Sequence, residues 1–301
     1  MTPFRTFVLI ALAAALAACT VPGAQNAPPD GARRFMSPAP HAFRASLAAE
    51  AEPVRRGAQA ERFELRDGDC GGSDCGNPRA RAEIELDPER HPVTIGQDTW
   101  YGWSFRNASV PAFTQDNALR LVFGQWTVGG RVDPVFRFIQ LGAGEHEMDG
   151  CDPAVCRLPD VQGDLAVQLV DVASVGDWGA ARNDGYVCRL FDMAGSRGLW
   201  RDIVVNTNFS PGPDGYLRIW VDRQQVCDYR GPVVSAASLT ADRAIRHRRG
   251  IFSSWTKRWE ESQGGAPRPT LVVYYDEFRT GRRASEVDLS QLEAAGVAPL
   301  D

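Results

Sequence analysis

The feature that most constrains this chain is a series of short β-rich segments separated by turn signals. In "YLRIWVD" (216–222) apolar and polar side chains alternate, which is typical of a strand buried on one face. The preceding "SPGPDG" contains Pro213, Asp214 and Gly215, whose backbone preferences favour a tight turn between two strands. The predicted strands are 99–106, 119–128, 135–141, 165–172, 186–191, 199–209, 215–222 and 269–280.

The spacing of these segments predicts the fold class. From about residue 60 onward, no amphipathic helix of ordinary length interrupts the predicted strands. Many short strands with few helices are typical of two packed antiparallel sheets. We therefore predict an all-β fold, a β-jelly roll (concanavalin-like β-sandwich) with few or no helices, over residues 61–285. A C-terminal tail, 286–301, follows it, and one concave face of the sandwich would offer a groove.

The N-terminus has the pattern of an export signal. Arg5 precedes the apolar run "FVLIALAAALAA" (7–18), which is too short to span a bilayer and fits a secretory signal. The run ends in "LAAC", which resembles the lipobox of bacterial lipoproteins. The resemblance implies that residues 1–18 are removed, that Cys19 is lipidated, and that the protein is an outer-membrane lipoprotein of the bacterial cell envelope, facing the periplasm or the exterior. Signal cleavage without lipidation is the alternative.

Residues 19–60 differ in composition from the rest of the chain. They are rich in Ala, Pro, Gly and Arg, and four prolines between residues 28 and 40 interrupt any periodicity. Such composition is typical of a flexible segment. We predict a tether that joins the lipid anchor, and through it the membrane, to the folded domain.

The six cysteines beyond Cys19 indicate disulfides, because an even number in an exported chain is typical of a disulfide framework. Two local pairs stand out, Cys70 with Cys75 and Cys151 with Cys156, which leaves Cys188 with Cys227. Zinc is the alternative, but the C-x4-C spacing is loose for a zinc site, and we predict no metal site. The acidic stretches 66–75 and 147–156 could hold calcium, so calcium is the one cofactor that the sequence leaves open.

Charge is distributed unevenly along the chain. The formal net charge of −5 argues against a general nucleic-acid binder. Residues 243–258 nevertheless contain no acid and six basic residues, and Trp255 and Trp259 follow or interleave them. We interpret this run as a patch that attracts a polyanionic glycan, with the tryptophans stacking on sugar faces. A solvated arginine-rich loop is the alternative. The basic residues are Arg243, Arg246, Arg248, Arg249, Lys257 and Arg258.

Several motifs resemble, in order and spacing, those of heparin lyase I-like and glucuronan lyase-like polysaccharide lyases. They are "WYGWSF", "FGQWT", "WRDIVVNTNFSPGPDGYLRIWVD", "RRGIF" and "TLVVYYDEFRTGR". The likeness spans about residues 60–285. It implies a β-jelly roll that cleaves an acidic, uronate-containing polysaccharide by β-elimination in its concave groove.

The resemblance also implies site residues. Jelly-roll lyases show R-x-E, Q-x-H and K-x-G-x-Y signatures, which here fall on Arg81 to Glu83, Gln125 to Thr127 and Arg248 to Phe252. Gln125 and Arg81 are thus predicted catalytic residues, because amide and guanidinium donors neutralise the uronate carboxylate and stabilise developing charge. The predicted substrate-binding residues are Glu83, Trp126, Arg248, Arg249 and Trp255.

Two positions depart from the family pattern. Thr127 stands where the histidine is expected, and Phe252 replaces the tyrosine that transfers the proton. We predict His247 as a relocated base, since neighbouring arginines would keep it neutral; an exposed surface histidine is the alternative. Tyr274 and Tyr275 are further candidates.

The departures leave two other functions open. One is a non-catalytic glycan-binding envelope lipoprotein on the same fold. The other is a concanavalin-like glycoside hydrolase, which needs paired carboxylates such as Glu83 and Glu85, although the E-x-D-x-x-E pattern of that class is absent.

Overall fold

A computed structural model describes residues 26–113, 119–129, 134–140, 144–145, 160–161, 164–174, 185–239, 243–254 and 256–301. These residues form sixteen strands and three short α-helices. The strands are β1 (Ala32–Phe35), β2 (Phe43–Leu47), β3 (Gln59–Leu65), β4 (Arg79–Leu86), β5 (Thr99–Asn107), β6 (Leu121–Val128), β7 (Phe136–Gln140), β8 (Gly144–Glu145), β9 (Asp160–Val161), β10 (Asp164–Gln168), β11 (Tyr186–Asp192), β12 (Trp200–Thr207), β13 (Tyr216–Val221), β14 (Gln224–Arg230), β15 (Ile245–Ser254) and β16 (Leu271–Gly281). The helices are α1 (Val170–Ser174), α2 (Thr256–Ser262) and α3 (Leu289–Ala294).

Fourteen of these strands form two antiparallel sheets of seven. Sheet A has the order β1-β4-β15-β6-β7-β10-β11, and sheet B has the order β14-β13-β12-β5-β16-β3-β2. The predicted all-β jelly roll is confirmed. Residues 208–215, with the predicted turn, connect the antiparallel neighbours β12 and β13, and Gly215 is required there because a Cβ would lie 2.2 Å from the carbonyl oxygen of Gly231.

The core lies between the two sheets and is strongly aromatic. Trp103 and Phe105 of β5 meet Trp126 and Phe123 of β6, and Tyr275 of β16 packs edge-on against Phe105. Aromatic pairs at these separations add to the free energy gained by burying their area. Two continuous sheets packed in this way give the rigid support on which the outer faces present their side chains.

The predicted tether is wrong for the described part of 19–60. β1 and β2 are edge strands of sheets A and B, and β1 pairs with β4 while β2 pairs with β3. Phe43 is 3% exposed and packs against Phe63. These residues belong to the sandwich, because their backbone groups complete the sheets and their apolar side chains enter the core.

The predicted C-terminal tail is wrong as well. Residues 286–301 include α3, which Asp288 caps by accepting hydrogen bonds from the N–H groups of Ser290 and Gln291. Val287, Leu289 and Leu292 are buried, and a Cβ at Gly102 would meet the Val287 carbonyl at 2.0 Å. The segment therefore packs directly on the outer face of sheet B.

Two of the predicted disulfides are confirmed. Cys70 bonds Cys75 within one loop, and Cys188 of β11 bonds Cys227 of β14. Cys151, Cys156 and the lipidation candidate Cys19 lie outside the described residues. No helix in the described part of the chain is long and apolar enough to cross a membrane.

Candidate active site

The outer face of sheet A carries a row of side chains, one from each strand. Residues that pair across neighbouring strands point to the same face of a sheet, and the pairing follows one line from edge to edge. We call it the cross-strand row: Arg33, Glu85, Arg248, Gln125, Arg137, Gln168 and Tyr186.

Gln125 is held in place from β4. Its Nε2 donates to Glu83 Oε1 at 2.6 Å, and Arg81 Nη1 donates to the other oxygen of the same carboxylate at 2.9 Å. Arg81 Nε in turn donates to Asp74 at 2.6 Å. All four side chains are buried, so each hydrogen bond is made in a medium of low dielectric. The network fixes the direction of the amide, and the second N–H of Nε2 remains as a donor.

Arg248 reaches the same face from β15. Its Nε donates to Glu85 at 2.7 Å, and its guanidinium carbon lies 3.5 Å from the ring centroid of Phe35. Arg33 also donates to Glu85, at 2.6 Å. One carboxylate thus serves two arginines, which leaves an excess of positive charge at this end of the row.

The other half of the row comes from β7, β10 and β11. Arg137 donates from Nε and Nη2 to the Gln168 side-chain oxygen at 2.8 and 2.6 Å, which fixes the plane of the guanidinium. Tyr186, half-buried, packs against the apolar cluster that Val122, Ile139 and Phe252 form. A phenol group therefore adjoins the same apolar floor that Phe252 occupies.

A cleft of about 230 Å³ opens next to this row. Its described lining contains Gln125, Phe252 and four arginines but no carboxylate, the arginines being Arg79, Arg81, Arg120 and Arg137. The Arg81 guanidinium lies 4.0 Å from the ring centroid of Phe252, which forms part of the wall. The cleft suits an anionic ligand that presents a carboxylate to amide and guanidinium donors.

The structure places the three family signatures together. R-x-E on β4, Q-x-T on β6 and the β15 segment occupy adjacent strands, since β15 lies between β4 and β6. Gly250 allows this approach, because its φ is 125° and a Cβ would lie 2.1 Å from the Ala82 carbonyl. Of the predicted site residues, Arg81, Glu83, Gln125 and Arg248 share the outer face of sheet A.

His247 does not reach this face. It is 3% exposed, and its ring lies 4.6 Å from Trp126 and 4.7 Å from Phe278. Burial, with Arg249 and His91 nearby, holds the pKa of His247 well below its usual range. The predicted neutral state is consistent with this environment, but the predicted role as a groove base is wrong, because the ring faces the core between the sheets.

Arg249 and Trp126 also point inward, so their predicted contact with substrate is wrong. Arg249 Nε donates to Glu61 of β3 at 2.6 Å, which links the two sheets from inside. Trp126 is fully buried and stacks on Phe136 at 4.3 Å. Both lie one residue from a site position, and successive side chains of a strand point to opposite faces.

The remaining candidates are distributed over other surfaces. Tyr275 is a core residue that donates to the Phe123 carbonyl, and burial raises its pKa well above the usual range. Tyr274 belongs to sheet B, where it pairs with Arg62 of β3, and contacts Trp200. Lys257, Arg258 and Trp259 are on α2. Trp255 lies outside the described residues.

Four residues of the cross-strand row were missed by the sequence analysis: Arg33, Arg137, Gln168 and Tyr186. Alternation could have found two of them. In "FRFIQ" and "DLAVQ" the polar residues Arg137 and Gln168 interrupt otherwise apolar strands, which marks the face that is not core. Tyr186 gives no such signal, because tyrosine is common on both faces of a sheet.

No group of three His, Cys, Asp or Glu side chains among the described residues is arranged to hold a metal ion. In the acidic loop 66–75, Asp69 pairs with His41 at 2.8 Å and Asp74 with Arg81. These carboxylates are occupied by protein donors. The second acidic stretch, 147–156, lies outside the described residues.

Comparison with known proteins agrees with this geometry. Residues 40–279 match the family model described as polysaccharide lyase. The fold is similar to that of an endo-β-1,4-glucuronan lyase from the fungus Trichoderma reesei, with a TM-score of 0.51 and 17% identity over 89% of this chain and 98% of that one. The marine PL7 alginate lyase AlyA1 from Zobellia galactanivorans gives a TM-score of 0.43 and 14% identity over 74% and 77%. A comparison with curated proteins gives no match.

Proposed function

The chain belongs to the polysaccharide lyase family and is a carbon–oxygen lyase acting on polysaccharides, and from this premise we propose that it cleaves an acidic, uronate-containing polysaccharide by β-elimination at the outer face of sheet A. The observation that carries the proposal is the cleft beside Gln125, which is lined by four arginines and no carboxylate. A uronate supplies a negative charge at every sugar, whereas a neutral glycan supplies none to these donors.

The reaction requires that the uronate carboxylate be neutralised before the C5 proton can leave. Gln125 is the donor for this step, because Glu83 orients its amide and the described lining of the cleft contains no carboxylate. Arg81 and Arg137 line the same cleft and add positive charge where the intermediate accumulates negative charge.

Proton transfer is assigned to Tyr186, since Thr127 and Phe252 carry no suitable group. The phenolate of Tyr186 takes the C5 proton, the C4–O4 bond breaks as the C4=C5 double bond forms, and the phenol returns the proton to O4. One side chain thus acts first as base and then as acid. The assignment rests on the packing of Tyr186 against the cluster of Val122, Ile139 and Phe252, of which Phe252 lines the cleft.

The glycoside hydrolase alternative fits the site less well. Such an enzyme needs two carboxyl groups that flank a glycosidic bond. Glu83 is engaged by Arg81 and Gln125, and Glu85 by Arg33 and Arg248. Neither carboxylate is presented to a sugar.

The test is to incubate the purified exported protein with glucuronan, alginate, heparin and pectate and to follow the ultraviolet absorbance of the unsaturated product. Glucuronan is the first substrate to try, since the neighbour from Trichoderma reesei is an endo-β-1,4-glucuronan lyase. Heparin tests the resemblance to heparin lyase I-like enzymes. Gln125→Leu removes the amide and keeps a side chain of similar size. Loss of one such donor lowers kcat by roughly 10²–10³-fold.

If wild type binds these glycans but releases no unsaturated product, the non-catalytic alternative replaces this proposal. If Gln125→Leu raises only KM, the amide contributes to binding and not to the transition state.

We also propose that the protein is a lipoprotein of the outer membrane of the bacterial cell envelope. The support is the sequence "LAAC" after an apolar run, with Cys19 as the lipid-bearing residue. A lipid anchor would hold the enzyme at the cell envelope, and it would act on acidic polysaccharides there.

A further inference from the structure

A second cleft, of about 560 Å³, lies on the outer face of sheet B, on the side of the sandwich away from the active site. Strands β5, β12 and β13 form its floor, and the segment that leads into α3 contributes Ala284, Asp288, Ser290 and Gln291 to its lining. The described lining shares no residue with the cleft beside Gln125. None of these residues takes part in the proposed reaction.

Two tryptophans provide the apolar part of this cleft. Trp100 of β5 and Trp220 of β13 stack with ring centroids 5.7 Å apart and an angle of 21° between their planes. Val204 of β12, which pairs with Trp220, lies in the floor beside them. Both rings are half-buried. Flat indole surfaces in a groove match the apolar faces of pyranose rings.

Two of the three aspartates in the described lining are ion-paired. Asp202 binds Arg55 at 3.0 Å, Asp222 binds Arg201 at 2.6 Å, and the Asp288 carboxylate caps α3. Arg223 is exposed in the turn between β13 and β14, and it makes no ion pair or hydrogen bond with the described part of the protein. The cleft therefore combines an aromatic surface with an exposed guanidinium that has no ion pair among the described residues.

We propose that this cleft is a second binding site for the uronate polysaccharide, in which a pyranose ring stacks on Trp100 and Trp220 and its carboxylate pairs with Arg223. The proposal rests on the proposed function for the identity of the glycan. A non-catalytic site on the opposite face holds the polymer while its other segments are cleaved, which raises the local concentration of substrate at the active site.

The test uses the full chain carrying Gln125→Leu, so that the polymer stays intact, and titrates it calorimetrically with glucuronan oligosaccharides. Two oligosaccharides are expected to bind per chain. Adding Trp220→Ala should reduce the number to one. Adding Trp200→Ala is the matched control, because Trp200 lies on the same strand-rich face but outside the cleft, and two should still bind.

Arg223→Ala tests the carboxylate contact in a variant whose exposed side chain supports no packing. Affinity at the second site should fall roughly tenfold, as expected for loss of a charge-assisted hydrogen bond. Cello-oligosaccharides, which differ from glucuronan only in having a hydroxymethyl group in place of the carboxylate, should bind this site more weakly and should be insensitive to Arg223→Ala.

A single binding event in the Gln125→Leu parent that persists in Trp220→Ala, or two events that persist in both Trp220→Ala and Arg223→Ala, would overturn the second site. Equal affinity for the cello- and glucuronan oligosaccharides would overturn the uronate as its ligand. The activity assay tests the lyase reaction independently of the second site. If the wild-type protein releases no unsaturated product but Trp220→Ala still removes one binding event, the lyase reaction is refuted and the second site stands.

Discussion

Tyr186 is the residue on which the proposed chemistry most depends. It packs against the apolar cluster of Val122, Ile139 and Phe252, so its phenol borders the cluster to which the Phe252 ring belongs. Tyr186→Phe removes only the hydroxyl and keeps the packing. We expect turnover to fall at least about a hundredfold, in the range of lost general acid–base catalysis, with KM little changed.

A double variant that moves the hydroxyl from position 186 to position 252 provides the control. In the double variant Tyr186→Phe with Phe252→Tyr, the phenol stands at the position where the family carries it, and part of the lost turnover should return. If Tyr186→Phe alone keeps full kcat under saturating substrate, Tyr186 does not move the proton.

The sequence predicted the composition of the site better than the direction of its side chains. "RHRRGIF" was correctly assigned to a groove strand, yet Arg248 and Arg249 were both taken as ligands of the substrate. Adjacent residues of a strand cannot share a face, so one of the two had to face the core. The motif does not show which of the two arginines faces the core, because in sequence an arginine that is buried against Glu61 looks the same as one on the outer face of the sheet.

The pKa of His247 gives a second prediction about a single residue. Its pKa is held well below the usual value by burial, with Arg249 and His91 adding to the effect, so below about pH 6.5 the unfolded chain binds a proton that the folded protein does not. The free energy of unfolding should therefore decrease as pH falls, by up to about 1.4 kcal/mol per pH unit from this group.

His247→Phe should remove that part of the dependence, since phenylalanine fits among Trp126, Trp103 and Phe278. Urea unfolding at about pH 7.5 and about pH 5 measures it. Phe278→Leu is the control and should lower stability equally at both pH values. An unchanged difference in His247→Phe would mean that the histidine is protonated in the folded protein.

Among the elements, the edge strands were the hardest to predict. β1 and β2 are four and five residues long, and prolines surround them. The composition around them is that of a linker, and no β-rich run marks them as strands. Their strand structure comes from pairing with β4 and β3. Length alone does not decide this, because β7 and β10 also have only five residues each and were predicted from their β-rich composition.

The disulfide Cys188–Cys227 joins two other edges. β11 is the last strand of sheet A and β14 the first of sheet B, so the bond ties the two sheets together at one side. The two cysteines are 39 residues apart. Replacing both with alanine should cost about 3–4 kcal/mol in the free energy of unfolding, because the unfolded chain regains the entropy of that loop.

The variant with Cys70 and Cys75 both replaced by alanine is the comparison. That loop has a separation of only 5 residues, so its loss should cost about 2 kcal/mol. Denaturant unfolding of both variants shows which disulfide contributes more to the free energy of unfolding. A larger loss for the short loop would contradict the loop-entropy account, and free thiols at Cys188 and Cys227 in exported protein would contradict the bond itself.

At the scale of the whole molecule, the two outer faces have different chemistry. Sheet A presents amide and guanidinium donors around a cleft without carboxylates, and sheet B presents two tryptophans among paired charges. The net charge of −5 hides the first of these, because the excess of arginine is local. A polymer long enough to pass around the sandwich can contact both faces, whereas a short oligosaccharide contacts one.

The position of the molecule in the cell is the remaining prediction. β1 begins at Ala32, so residues 20–31 are all that separate Cys19 from the sandwich, and fully extended they reach at most about 40 Å. A lipid on Cys19 would thus hold both clefts close to the membrane surface. We expect wild type to fractionate with outer membranes and its mature N-terminal peptide to carry the mass of a lipid.

Cys19→Ser should release the protein from membranes or leave it as unprocessed precursor, because the group that accepts the lipid is gone. Thr20→Asp is the matched control, since an acidic residue after the lipidated cysteine would, by analogy with bacterial lipoproteins, redirect the protein from the outer membrane while leaving it lipidated. If Cys19→Ser is processed and fractionates as wild type does, the apolar N-terminus is an ordinary export signal. The enzyme then acts on its polysaccharide without a lipid anchor.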